Sequence, residues 1–202
     1  MPRVRMSALW QAEVPLPSLE EQCRIVARIE ELSARIAEAR RLRGVAGEEA
    51  ERLMQSALSK LRADLVAQYP TKAIEELASE GVLEICGGGT PSRQNPTFWQ
   101  GPIPWASPKD IKTWIIKDPQ EHISEDALEA SSAKLVPAGS VLVVVRGMIL
   151  GRTWPVAVSG CELAINQDMK ALWPINEMVA PEYLGYMLRA LEPEVLIKVR
   201  TA

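Results

Sequence analysis

Residues 18–69 carry an apolar seam: Ile25, Ile29, Leu32, Ile36 and Ala39, then Ala46, Ala50, Leu53, Ala57, Leu61 and Leu65. Spacings of four and three alternate as far as Ala57, the heptad signature of one helix packed on another. Ser18 with Glu21 three residues on predicts a capping box, and Glu20 and Glu21 suit the positive start of a helix. Pro70 ends the run. Unbroken, a helix of this span is about 78 Å long at 1.5 Å per residue. That exceeds what a domain of this size needs for its own core.

The seam is thin at its middle. Arg43 falls on it, and Gly44 and Gly47 lie beside it. These glycines either weaken a continuous helix or turn it into a hairpin. The other helix candidates, 71–79 and 181–192, are far too short to cover the seam. It therefore needs a partner: itself folded back at Gly44–Gly47, or a helix from another chain. The expected arrangement is another chain, antiparallel.

Residues 4–17 read as a short strand-like segment closed by prolines. From residue 71 the pattern changes to short strands at 82–86, 140–145, 153–158 and 170–175, with turn-forming residues near each. The expected fold class is α+β, a domain of short strands and helices attached to one long coiled-coil-type helix. The apolar run "SVLVVVRGMIL" is broken by Arg146 and falls short of the ~18 residues a membrane span needs. The N-terminus has no apolar signal-peptide core. Cys23, Cys86 and Cys161 show no paired spacing, which points to free thiols in a reducing cytoplasm and away from a zinc site.

Catalytic patterns are weak. In "GGGTPSR" (87–93) no Lys follows the last glycine and Pro91 follows the Thr, so it is neither a phosphate-binding P-loop nor a dinucleotide fingerprint. His122, the single histidine, has no evident Ser or Cys partner and reads as a surface residue. Asp118 and Glu121 read as a solvated acidic turn rather than a metal pair. No cofactor is expected.

A binding role fits better. Net charge is -3, yet the charge is uneven. Residues 86–117 hold Arg93, Lys109, Lys112 and Lys117 against Asp110 alone, and 134–152 hold Lys134, Arg146 and Arg152 with no acid. Such a polarised surface can bind a polyanion despite a negative total, although scattered surface charge is the plainer alternative. Gly87, Gly88 and Gly89 allow close backbone approach to a ligand and supply N–H donors. Thr90, Ser92 and Arg93 add donors suited to phosphates or base edges. Trp99 and Trp105 read chiefly as packing residues that stiffen the loop. In "SPKD", Ser107, Lys109 and Asp110 stand together; Lys109 can reach a phosphate and Asp110 can accept from a cytosine amine, or the segment is an ordinary Asp turn. Arg146 ends an apolar strand before Gly147, placed to project into a ligand or to make a structural salt bridge. Asn166 and Gln167 are capable of bidentate adenine contacts, and equally of forming a turn.

Three longer stretches carry a resemblance. "VPLPSLEEQCRIVARIEEL" resembles the entry to the spacer helix of type I restriction–modification specificity subunits. "GGGTPSRQNPTFWQGPIPWASPKDIK", "ISEDALEASSAKLVPAGSVLVVVRG" and "AINQD" resemble the first part of a target-recognition domain of that family. The likeness covers nearly the whole chain.

The resemblance implies a non-catalytic subunit with two recognition domains held apart by two long antiparallel helices. Each domain reads one half of a bipartite site in double-stranded DNA. The helices dock methyltransferase subunits and, through them, restriction subunits. By matching motif it points to Gly87–Arg93, Ser107–Asp110, Arg146–Gly147 and Gln167 as the DNA-facing residues; Arg152 joins them from its charge cluster. Here there is one long helix and one recognition domain, in shifted order. The expected division is 1–17 as the tail segment of a recognition domain, 18–69 as spacer helix, and 70–202 as a C-terminally incomplete recognition domain. A fragment and a half-length permuted subunit both fit. The geometric expectation is an antiparallel homodimer with exchanged N-terminal tails. The competing expectation is a remnant or scaffold that reads no DNA and pairs through its helix with other subunits.

Overall fold

The computed structural model describes residues 6–201. The chain divides into two compact units, Met1–Leu53 and Met54–Ala202. In the first unit Met6–Trp10 forms a short helix, α1, where the sequence predicts a strand-like segment. Leu9 and Trp10 are exposed on it, so α1 rests on local propensity rather than on burial of an apolar face.

Helix α2 runs Leu19–Gln68. It passes Gly44 and Gly47 without interruption, so the fold-back alternative does not occur. Half of the expected capping box forms. Ser18 Oγ accepts from the Glu21 amide at 3.3 Å, while the Glu21 carboxylate turns to Arg24 at 2.8 Å. Further ion pairs lace the solvated face, Arg28–Glu31 at 2.8 Å, Arg35–Glu31 at 2.5 Å and Arg41–Glu38 at 2.8 Å. Such i,i+3 and i,i+4 pairs favour the helical state, which two interior glycines disfavour. The seam residues Ile25, Ile29, Leu32, Ile36, Leu53 and Leu61 are all exposed; Leu65 is half-buried.

In the second unit the last turns of α2 are anchored. Leu58 is buried, Gln55 Nε2 donates to the Arg189 carbonyl at 3.1 Å, and Arg62 pairs with Glu194 at 2.6 Å. After α3 (Ile74–Ser79), the remaining elements are β1 (Leu83–Gly87), β2 (Ile103–Ala106), β3 (Ile115–Ile116), β4 (Glu121–Ile123), α4 (Glu125–Glu129), β5 (Leu135–Val136), β6 (Val141–Val144), β7 (Val156–Ser159), β8 (Leu163–Ile165), β9 (Met169–Pro174), α5 (Pro181–Ala190) and α6 (Glu192–Thr201). Helix α6 extends past the predicted end at 192, because Pro193 breaks α5 yet fits the first turn of a new helix.

The strands make two sheets. One has the order β1-β9-β6-β7-β3, the other β4-β2-β8-β5. All pairings are antiparallel except β7 with β3 and β8 with β2. The period of two decides the layering. In β6, Leu142 and Val144 face a core shared with Leu163 and Ile165 of the second sheet. Val141 and Val143 face the opposite way, against Leu184 and Leu188 of α5. Both faces of β6 are covered, which is why it reads as an unbroken apolar run. The outer face of the four-stranded sheet is closed by Ala127 of α4 and by Phe98 and Trp99 of the short 3-10 turn Pro96–Trp99.

Candidate nucleic-acid interface

The glycine loop leaves β1 and turns across the second sheet. A Cβ on Gly88 would lie 2.0 Å from the Ile165 carbonyl oxygen and 2.3 Å from that of Asn166; one on Gly89 would lie 2.5 Å from the Ala133 amide nitrogen. The Gly89 amide donates to Ile165 O at 2.9 Å. These two glycines are therefore required by the protein's own packing. Gly87 is different: a Cβ there would meet only the flexible end of Lys170.

From Thr90 onward the loop is stiffened. The Thr90 hydroxyl donates to the Gln167 side-chain oxygen. Trp105, 2% exposed, donates from Nε1 to Gly89 O at 3.0 Å, and Trp99 Nε1 donates to Ser92 O at 3.2 Å. The two indoles meet edge to face at 5.0 Å. Both tryptophans pack, as their setting among prolines predicts. Arg93 lies 3.4 Å above the Trp99 ring and forks onto the Glu121 carboxylate, with Nη2 to Oε2 at 2.8 Å. The hydrogen bonds from Arg93 hold Glu121 below the usual carboxylate range and raise Arg93 in turn. Arg93 thus braces the loop as well as lending it charge.

In Ser107–Asp110 the roles separate. Asp110 Oδ2 accepts from Ser107 N and Oγ, both at 2.9 Å, and Oδ1 accepts from Gln120 N at 3.1 Å. Ser107 is buried. The Asp110 carboxylate is occupied by the turn it closes, the ordinary Asp turn that the sequence also allows. Lys109 faces solvent near Glu121.

A second group sits where β6 ends beside the β8–β9 turn. The amides of Val145 and Arg146 donate to Asp168 O at 2.8 and 3.3 Å, and Arg146 Nε donates to Asp168 Oδ1 at 2.6 Å. Asn166 is buried and its Oδ1 accepts from Asp168 N at 2.8 Å, so the turn-forming alternative holds for Asn166. Gln167 is exposed beside Thr90. Gly147 has φ 133°, a conformation that favours glycine, and a Cβ there would meet open space. Arg152 is exposed at the end of the 3-10 turn Met148–Gly151.

The fold therefore joins Gly87, Thr90, Arg146 and Gln167 at one edge. It places Arg93, Ser107, Lys109 and Asp110 in a second group around Glu121. The buried Trp105 ties the groups by holding Gly89, the residue before Thr90. Lys170 was missed in the sequence. It is the second residue of β9, in register with Gly87 and Val143, and its exposed side chain spreads over the space that Gly87 leaves. Its signal is a lysine near the start of an apolar strand, exposed at a period-two position whose partner Val143 is buried. His122 Nε2 lies 3.1 Å from Asp118 Oδ1. Among the described residues no cluster of three or more His, Cys, Asp or Glu side chains is placed to hold a metal.

The chain is similar to specificity subunits of type I restriction enzymes. Over 111 residues, 54% of this chain, it is 40% identical to the EcoR124I/EcoR124II specificity subunit of Escherichia coli, covering 27% of that protein. It is 32% identical over 109 residues to the MjaIX specificity subunit of Methanocaldococcus jannaschii, covering 24% of it. A solved chain from a study of complex assembly and conformational transition in the type I R-M system superposes over 96% of this chain, with a TM-score of 0.52 and 29% identity. The match spans 47% of that solved chain, about half its length. No protein-family model matches.

Proposed function

We propose that the chain is a DNA sequence-recognition subunit, or half-subunit, of a type I restriction–modification complex. It reads one half of a bipartite duplex site and directs methyltransferase subunits, and through them restriction subunits, to that site. It performs no catalysis itself and acts in the cytoplasm. The observation that carries this reading is the convergence of Thr90, Gln167, Arg146 and Lys170 on one edge of a domain related to specificity subunits. Lys109, Lys170 and Arg152 are solvent-facing cations suited to phosphates, which position a protein on the duplex. Arg146 and Gln167 carry the donor and acceptor patterns that read guanine and adenine edges. Asp168 and Thr90 hold those two side chains in place before DNA arrives, which lowers the ordering cost of binding.

A half-length reader needs a second half. We infer that a second copy supplies it, in an antiparallel dimer closed by the exposed seam of α2. The exposed Leu9, Trp10, Val14 and Leu16 of the partner's tail would enter an apolar groove of about 470 Å³ bordered by Val66, Ile74, Leu77, Leu184 and Leu188. The test of the reading is the pair Lys109→Ala and Arg146→Ala in the assembled complex. Weakened duplex binding is expected, with unchanged complex mass and a shallower salt dependence, by ~0.9 in log–log slope for each phosphate no longer neutralised. Unchanged duplex binding at every salt concentration would refute it.

A further inference from the structure

Met148 is 98% exposed, a greater exposure than that of any other large hydrophobic side chain among the described residues. Single exposed apolar side chains are ordinary; the setting of this one is not. Its two successors anchor the loop, Leu150 in the core and Ile149 packed against it. The amides of Arg152 and Thr153 both donate to Ile149 O at 3.0 Å. Gly147 before it takes a backbone angle that L side chains rarely adopt. Arg146, the residue before that, is held by Asp168. The backbone on both sides of Met148 is thus fixed, and the side chain points away from all of it.

Cations flank it in sequence, Arg146 on one side and Arg152 on the other. The base of its loop rests on the turn that carries Gln167, beside Thr90. An apolar tip with arginines near it on both sides in sequence, on a loop based at the turn of Gln167, suits a surface that is both charged and partly apolar. That surface is the DNA groove, where phosphates border base edges that include an apolar group. In the major groove that group is the C5-methyl of thymine. Methionine suits it, being unbranched and polarizable and able to fill irregular apolar gaps.

We propose that Met148 is a specificity-determining residue that contacts the C5-methyl of a thymine in the bound duplex. The proposal rests on the DNA-reading function above and deepens it. It adds an apolar reader to the polar ones on the same edge.

The test has two parts, both on the full chain. Methionine oxidation by dilute peroxide is followed by peptide mass, with and without duplexes recovered from a randomised pool. Met178, 71% exposed beyond the opposite end of β9 from Lys170, is the internal reference. Met148 oxidation is expected to slow severalfold on duplex addition while Met178 oxidation does not. The same duplexes are then made with uracil for thymine, which removes only the methyl groups. Wild type should lose about fourfold in affinity per contacted methyl, and Met148→Ala should lose less than twofold. Duplex binding without protection of Met148, or equal losses in wild type and Met148→Ala, overturns the proposal and leaves the DNA-reading function standing. Failure to bind any duplex overturns both.

Discussion

Replacing Gly88 by Ala separates a packing glycine from a ligand-facing one. The new Cβ would sit 2.0 Å from Ile165 O, 2.3 Å from Asn166 O and 2.4 Å from Ile165 C. Unstrained carbon contacts lie near 3.5 Å, so the backbone must shift by about 1.5 Å. These three nearest atoms all belong to the main chain, so relief cannot come from turning a flexible side chain. The same segment carries the Gly89 N to Ile165 O and Asn166 N to Ala106 O bonds, each 2.9 Å, that join the loop and β2 to the end of β8. Overpacking costs roughly 1–3 kcal/mol, and rigid surroundings put this site near about 3. In a domain of this size that lowers the thermal midpoint by about 6–12 °C. Gly151→Ala is the control: a Cβ there meets nothing within 4 Å, so its stability should stay within about 0.5 kcal/mol of wild type. Thermal unfolding followed by circular dichroism reads both. A Gly88→Ala protein as stable as wild type but weakened in duplex binding would refute the packing argument and return the glycine to a phosphate-facing role.

Further outcomes follow from the same contacts. Asp110→Ala strands the Ser107 and Gln120 amides and should lower the urea midpoint by an amount worth about 1–3 kcal/mol; an unchanged midpoint would mean the carboxylate does not hold the turn. Glu121 is held below its usual range by Arg93, so its contribution is present above the unfolded value of about 4.3 and fades as pH falls through the lower folded value. Thermal midpoints across that acid range should therefore fall less steeply for Glu121→Gln than for wild type, and parallel profiles would contradict the pairing. Ile29→Asp with Ile36→Asp places charges on the exposed seam and should halve the mass seen by light scattering if the proposed dimer forms there, while the domain's unfolding is unchanged; an unchanged mass would contradict pairing through this seam.

Much of the fold was legible because its signals are local. The seam and Pro70 delimit α2 to within a residue or two, and β6 shows itself as an apolar run covered on both faces. The strands missed, β2, β3, β4, β5 and β8, are two to four residues long, and β2 contains a proline; their identity comes from pairing with distant segments. Helix α1 was misread because five residues before a run of prolines hold too little periodicity to separate helix from strand. At the interface, residue types were legible and roles were not. Nothing within "SPKD" says that the Asp110 carboxylate also reaches Gln120, nor within "GGGT" that Gly88 abuts Ile165. Arg93 reads as a free cation until β4 brings Glu121 to it. Lys170 was missed because its place over Gly87 is set by strand register, 83 residues away in sequence.

Selection from a randomised duplex pool, using the chain assembled with its methyltransferase subunit, tests the account most directly. A sequence reader that pairs with a second copy of itself must enrich a bipartite motif: two inverted copies of one half-site at a fixed separation. Recovery of that motif is the predicted result. Assembly with no sequence enriched over the starting pool would contradict it, and would make the chain a scaffold.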